Sequence, residues 1–306
     1  MAQQPNIRYY KPKEEFSLDI RDIESFVYDM SRCIKCKGCT WVDHTYMPGA
    51  KFMTRCPSAT LYEYDAYGAY GKLRIAHGMV EGKVDWNETA LEIVYACTLC
   101  GACDVGCKRN LDLEIELTLE ALRVKAVRDG VGPMPAHKKI AENIQKQHNM
   151  YGSPHDKRSA WVPQDAPPAD KADLLYFAGC AASYVNQEIA QSTARIFKAA
   201  GTPYMLMPDE WCCGNTVFSV GMFDEAKAMA ERNIEEVRKT GAKTLVTSCA
   251  EGYRMWKVDY PKLLNMATED LGFEVLHLVE FVDEKVKRGA LKLTKPLDTR
   301  LTYHDA

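Results

Sequence analysis

The chain has 306 residues, 46% hydrophobic and 26% charged, the proportions of an ordinary folded protein of about two domains; they exclude a wholly disordered chain, a collagen-like fibre and a coiled-coil rod. Its formal net charge of −3, from 39 basic and 42 acidic residues, gives no polybasic character for nucleic-acid recognition. The longest uncharged stretch, the 14 residues between Asp173 and Glu188, is shorter than the roughly 18 expected of a membrane-spanning helix, and the first 16 residues hold no apolar core of a secretory signal, so the expectation is a cytoplasmic protein with no membrane span of its own.

In chain order, residues 1–16 read as a flexible or docking arm. A helix is expected over residues 19–31, capped by Ser17, with Ile20, Ile23, Phe26, Val27 and Met30 on one face. Residues 61–86, aromatic and punctuated by Gly, predict a turn followed by a short helix over 72–79. Further helices are expected over 88–96 and 112–128. The latter carries Leu113, Leu117, Ala121, Val124 and Val127 as one stripe and ends at the GVGPMP run. Residues 150–172 hold five Pro and Gly with little periodicity, the texture of an interdomain linker. Beyond them, short apolar runs at 173–179, 203–207, 243–248 and 273–278 alternate with helical patterns at 184–200, 222–239, 252–266 and 279–288. That βαβαβαβα order predicts a parallel, helix-covered sheet. A last apolar strand is expected at residues 300–303.

The abnormal count is cysteine: twelve, in a chain without an export signal, where disulfides are rare. Eight fall into two sets, Cys33-x2-Cys36-x2-Cys39 with Cys56-Pro57, and Cys97-x2-Cys100-x2-Cys103-x3-Cys107. The C-x2-C-x2-C-x3-C run is the spacing that wraps a [4Fe–4S] cubane, and in two-cluster ferredoxins the remote fourth Cys ligates the other cluster. This assigns Cys33, Cys36, Cys39 and Cys107 to one cluster and Cys97, Cys100, Cys103 and Cys56 to the other. Gly38 and Gly101 are expected to relieve crowding against the inorganic sulfide; Lys108 stands where a second Pro would follow. Four thiolates also suit zinc, but zinc sites pair two CxxC units rather than crowding three thiolates into one triplet. His44 and His77 read as ordinary polar residues. Arg32, Lys35, Lys37, Arg55, Lys108 and Arg109 form either a solvated face or a positive field that raises cluster potentials or docks an acidic electron partner.

The remaining four are Cys180, the vicinal pair Cys212-Cys213 before Gly214, and Cys249. A vicinal disulfide is strained, so a shared metal site is the better account. These cysteines lie at or after predicted strand ends, where open α/β sheets bind ligands.

The pattern Cys180-x31-Cys212-Cys213-Gly214-x35-Cys249, with the strings FAGCAASY, WCCGN and TSCAEGYRMWKVDYPK, resembles the CCG (cysteine-rich) domain of heterodisulfide reductase subunits. YDAYGAYGKLRIAHGMVEG in the first half is similar too. A two-cluster ferredoxin unit followed by a CCG unit resembles the D-type subunit of heterodisulfide reductase and homologous subunits of other anaerobic complexes, class II benzoyl-CoA reductases among them. The resemblance covers about residues 20–306. It implies an α+β two-part chain: an arm and helix (1–30), a helical bacterial-type two-[4Fe–4S] ferredoxin domain (31–149), the linker (150–172) and an α/β parallel-sheet CCG domain (173–306). The family's last Cys falls at Gly252, and the family continues past LTYHDA with a Cys that opens a second CCG unit, so the chain is expected to be truncated before it.

The function implied is an iron–sulfur electron-transfer subunit of a heterodisulfide-reductase-like oxidoreductase complex. It would relay electrons through two [4Fe–4S] clusters to a tentative catalytic third site at Cys180, Cys212, Cys213 and Cys249, where a disulfide could be reduced. With Gly252 in place of Cys, a cubane, a modified cluster, zinc or no cofactor at all are compatible with that site. The alternative is a non-catalytic wiring or docking subunit of a complex such as benzoyl-CoA reductase, or one with a membrane cytochrome b. Other redox subunits are the expected partners. FAGC replaces any GxGxxG after the strand near Phe177, so a bound dinucleotide is not expected. His277 reads as a core or surface histidine; His304 as that or as a neighbour of the third site.

Overall fold

The computed structural model describes residues 19–42, 53–108 and 111–302. The arm at 1–16, Ser17, His44, Arg109, Tyr303 and His304 lie outside the described residues. The α-helices in chain order are α1 (Val27–Arg32), α2 (Pro57–Tyr62), α3 (Ala69–Val80), α4 (Glu88–Tyr95), α5 (Ala102–Cys107), α6 (Ile115–Arg128), α7 (Pro135–Gln147), α8 (Gly179–Tyr184), α9 (Gln187–Ala199), α10 (Asn215–Ser219), α11 (Phe223–Thr240), α12 (Ala250–Arg254), α13 (Tyr260–Leu264) and α14 (Leu278–Lys287). The strands are β1 (Leu174–Phe177), β2 (Tyr204–Leu206), β3 (Thr244–Thr247) and β4 (Glu274–His277). No helix among the described residues is long and apolar enough to cross a membrane.

The chain divides into two compact units. Of the described residues, the first takes 19–42, 53–108 and 111–138 with Val217–Phe223; the second takes 139–216 and 224–302. In the first unit, α3 lies against α6 and α1, and Phe26, Met30, Leu73, Leu117 and Leu122 are fully enclosed. The expected helix at 19–31 is shorter than its pattern suggests. A 3-10 turn at Ile23–Phe26, capped by Asp22 accepting from the Glu24 amide, leads into α1. Asn87 accepts from the Ala90 amide and starts α4. Helix α6 starts at Ile115, past Leu113, and carries Leu117, Ala121, Val124 and Val127 of the expected stripe; Glu116, Thr118, Glu120 and Arg123 are buried on it as well.

The second unit is built on a four-stranded parallel sheet in the order β2-β1-β3-β4. Leu174 and Tyr176 face one side of β1, toward a cluster holding Trp161, Phe197, Tyr204 and Phe281. On the other side, the Phe177 ring meets Trp256 edge to face at 5.3 Å. The stretch 150–172, which its Pro and Gly content marks as a linker, places Trp161 and Arg158 in the interior of this unit. Gly252 lies inside α12, whose line of helix continues through a π turn (Met255–Asp259) into α13. Residues 300–302 are not a strand.

Candidate iron–sulfur site

The two CxxCxxC loops share one backbone device. Counting from the first Cys, the third and fifth residues take positive φ in both: Lys35 (58°) and Lys37 (62°) in the first, Leu99 (51°) and Gly101 (69°) in the second. Three of these four are not glycine. Such conformations cost free energy and cluster where a ligand is held. In the first loop it is Lys37, not the neighbouring Gly38, that takes the positive φ. At Gly101, an added Cβ would fall 2.8 Å from Glu116 Oε2, the movable end of a side chain, so it is the positive φ that favours glycine there.

Cys39 and Cys107 both feel Cys33 and Cys36. Burial pushes the Cys39 thiol up to about 12, with Cys33 and Cys36 adding to the rise, and the Tyr70 backbone opposes it through a hydrogen bond. Cys107 is raised by burial and again by Cys33 and Cys36, against hydrogen bonds from the Leu113 and Leu111 backbone. Cys36 stands exposed at the surface.

Cys56, Cys97, Cys100 and Cys103 line a single pocket, with Lys72 and Leu119 in its wall. The remote Cys56 therefore joins the later triplet. Burial raises Cys97, against the pull of Lys72 and Arg123, and raises Cys103, which also feels Asp104 and Cys97 and, more weakly, Cys39 of the first set. The Leu99 amide donates to Cys97 Sγ at 3.4 Å. Cys100 is exposed.

In the second unit, β1, β2 and β3 deliver Cys180, the Cys212–Cys213 pair and Cys249 past their carboxyl ends. Cys180 is raised by its bond to Cys212 and by burial. Cys212 is pushed up to about 12: the Cys180 bond pulls down, but the Cys213 bond and burial outweigh it. Cys249, raised by burial and among other charges by Cys180, caps α12 by accepting from the Gly252 amide at 3.4 Å. The vicinal pair is clamped through its carbonyls. Asn233 Nδ2 donates to Cys212 O at 3.0 Å and Tyr260 Oη to Cys213 O at 2.8 Å. The Cys212 amide donates to His148 O, and Trp211 stacks between the His148 ring and the Arg232 guanidinium.

Sequence reasoning missed Arg158 and Glu210. Arg158 Nη2 reaches Glu210 Oε1 at 2.9 Å and Cys180 Sγ at 3.7 Å. Glu210 in turn accepts from the Ala178 and Gly179 amides just before Cys180. Burial opposes the Arg158 charge, but Glu210 and Cys180 hold it firmly protonated. His77, expected to be an ordinary polar residue, lies 3.5 Å from Glu81 in the last turn of α3; His277 caps α14.

Four thiols in one pocket fit a cubane, whose ligands stand around a whole cluster. A zinc ion draws its thiolates to about 2.3 Å, and among the described residues no three Cys, His, Asp or Glu side chains gather as a single-ion site.

Fold and cysteine geometry define an iron–sulfur protein of the dicluster type carrying a cysteine-rich domain. The family models for a 4Fe-4S dicluster domain and for the cysteine-rich CCG domain match residues 29–111 and 174–255. The chain is 33% identical to the D-type subunit of the dihydromethanophenazine:CoB–CoM heterodisulfide reductase of Methanosarcina acetivorans, over 96% of this chain and 72% of that protein. The corresponding protein of Methanosarcina mazei is 32% identical, again over 96% and 72%. EtfAB:quinone oxidoreductase of Syntrophomonas wolfei is 25% identical over 98% of this chain and 46% of its own length. No solved structure matches significantly. The chain belongs to the family of heterodisulfide reductase D-type subunits, and it is an iron–sulfur electron-transfer protein.

Proposed function

We propose that Cys33, Cys36, Cys39 and Cys107 hold one [4Fe–4S] cluster, that Cys56, Cys97, Cys100 and Cys103 hold the second, and that Cys180, Cys212, Cys213 and Cys249 form the site they serve. The observation that carries this is the pocket in which Cys56 meets Cys97, Cys100 and Cys103. When bound, such clusters supply one-electron couples. The chain's own residues exclude water from Cys39, Cys56 and Cys107, which are buried, and leave Cys36 and Cys100 at the surface, where an electron partner can approach. Exposed Arg32 and Lys35, near Cys36 in the chain, and exposed Lys108, next to Cys107, suit an acidic partner. The partners are other redox subunits, with a membrane cytochrome b as one. At the CCG site, reduction of a disulfide takes two electrons and two protons. Arg158 steadies negative charge on Cys180, and the carbonyl clamps hold the vicinal pair in place. Viologen-driven reduction of a disulfide by the chain, lost in Cys212→Ala, supports this role.

A second reading has one observation in its favour: Gly252 supplies no thiol where the family pattern has its last Cys. In it the CCG unit passes electrons to, or docks, another chain that performs the chemistry. Disulfide reduction that requires added subunits favours this reading.

A further inference from the structure

Lysine is seldom fully enclosed, because a buried ammonium loses its hydration. Lys72 on α3 is nonetheless 0% exposed, and it stands in the wall of the pocket formed by Cys56, Cys97, Cys100 and Cys103. Both hydrogen bonds made by its Nζ end on uncharged oxygens: Ser58 Oγ at 2.8 Å and the carbonyl of Tyr67. Burial lowers its pKa; the sulfurs of Cys97, then Cys56, and also Cys103 act to keep it protonated, and Arg123 acts against them.

Ser58 links the ammonium to a ligand position. Its Oγ donates to Tyr67 O at 2.8 Å and lies 3.5 Å from Cys56 Sγ, a contact in which either atom can be the donor. A hydroxyl has one proton to give. Tyr67 O accepts from Lys72 as well, so that carbonyl stays paired when the Ser58 proton turns to the Cys56 sulfur. Nearby positive charge and hydrogen bonds to ligating sulfur both favour the reduced, more negative state of a cluster.

We infer that Lys72, acting directly and through Ser58, is a positioning residue that raises the reduction potential of the site formed by Cys56, Cys97, Cys100 and Cys103. This rests on the proposal that those four cysteines hold a cluster.

The test is a reductive titration of the anaerobic full chain followed by EPR, on wild type, Lys72→Met, Lys72→Arg and Ser58→Ala, with iron counted in each. Cys100→Ser, which alters the signal of its own cluster, identifies which signal belongs to the second site. In Lys72→Met that signal moves to more negative potential while the signal of the first site stays in place. Ser58→Ala moves it the same way by less, and Lys72→Arg recovers part of the shift. A second-site signal that titrates in Lys72→Met at its wild-type potential, or two signals that move together, overturns the inference. Should Lys72→Met fail to assemble the cluster, Ser58→Ala, which removes a single oxygen, decides by the same criterion. Wild-type protein without iron refutes the cluster assignment itself, a result distinct from unshifted potentials.

Discussion

The guanidinium of Arg158 donates to the Sγ of Cys180 across 3.7 Å, with both groups buried and Glu210 gripping the same guanidinium. One carboxylate therefore fixes both the cation beside the thiol and, through the Ala178 and Gly179 amides, the turn that presents it.

Arg158→Met leaves Glu210 buried without its cation, at a cost of about 3–5 kcal/mol. Urea unfolding of the anaerobic protein should show a loss of that size, together with weaker iron retention at the CCG site. A change below about 1 kcal/mol, the range of surface substitutions, would mean that Glu210 is satisfied without Arg158.

The crossed pairing of the remote cysteines has its own test. Cys56→Ala should remove about four iron atoms per chain and abolish the signal altered by Cys100→Ser, while leaving the signal altered by Cys36→Ser. Cys107→Ala should do the reverse. If Cys56→Ala erases the Cys36-dependent signal instead, each triplet closes on its own fourth cysteine.

At Gly252 a Cβ would meet Thr247 Oγ1 at 3.3 Å and lie 3.9 Å from Cys249 Sγ. Gly252→Cys should therefore fold after a small displacement of Thr247 and place a fifth sulfur beside the four. The expected outcome is an altered EPR signal or iron count at the CCG site with unchanged ferredoxin-type signals. An identical spectrum would show that the added thiol is not recruited.

Glu114 carries a pH dependence. Burial, followed by the charges of Asp104, Asp29 and Asp112, pushes its carboxyl up to about 8. The folded state thus binds a proton that the unfolded chain releases near its ordinary value of 4.5. The associated stability is present below that value and is lost as pH rises through about 8. Relative to wild type, Glu114→Gln should gain stability steadily over that window and show little difference below it. Thermal unfolding at several pH values measures this, and a constant difference would contradict it.

The sequence displays what is local. Ligand spacing within each CxxCxxC triplet is a matter of a few residues, and the apolar runs at Leu174–Phe177 and Thr244–Thr247 are short enough to read as buried strands. Short helices such as α2 and α5 stay hidden because about six residues show no period, and α7 because its start, Pro135, is the last residue of the GVGPMP breaker. Lys72 and Arg158 look like solvated charges in sequence. Only tertiary packing sets one against Ser58 and the other against Glu210, 52 residues away. The left-handed Lys37 is invisible for a similar reason: a glycine next to it offers the cheaper turn, and the fold uses the lysine.

Counting iron, acid-labile sulfide and zinc in anaerobically purified protein, with EPR before and after reduction, tests the central claim most directly. The account predicts at least about eight irons per chain, as two cubanes require, and two interacting one-electron signals on reduction. Colourless protein with zinc bound at these cysteines and no iron would contradict it.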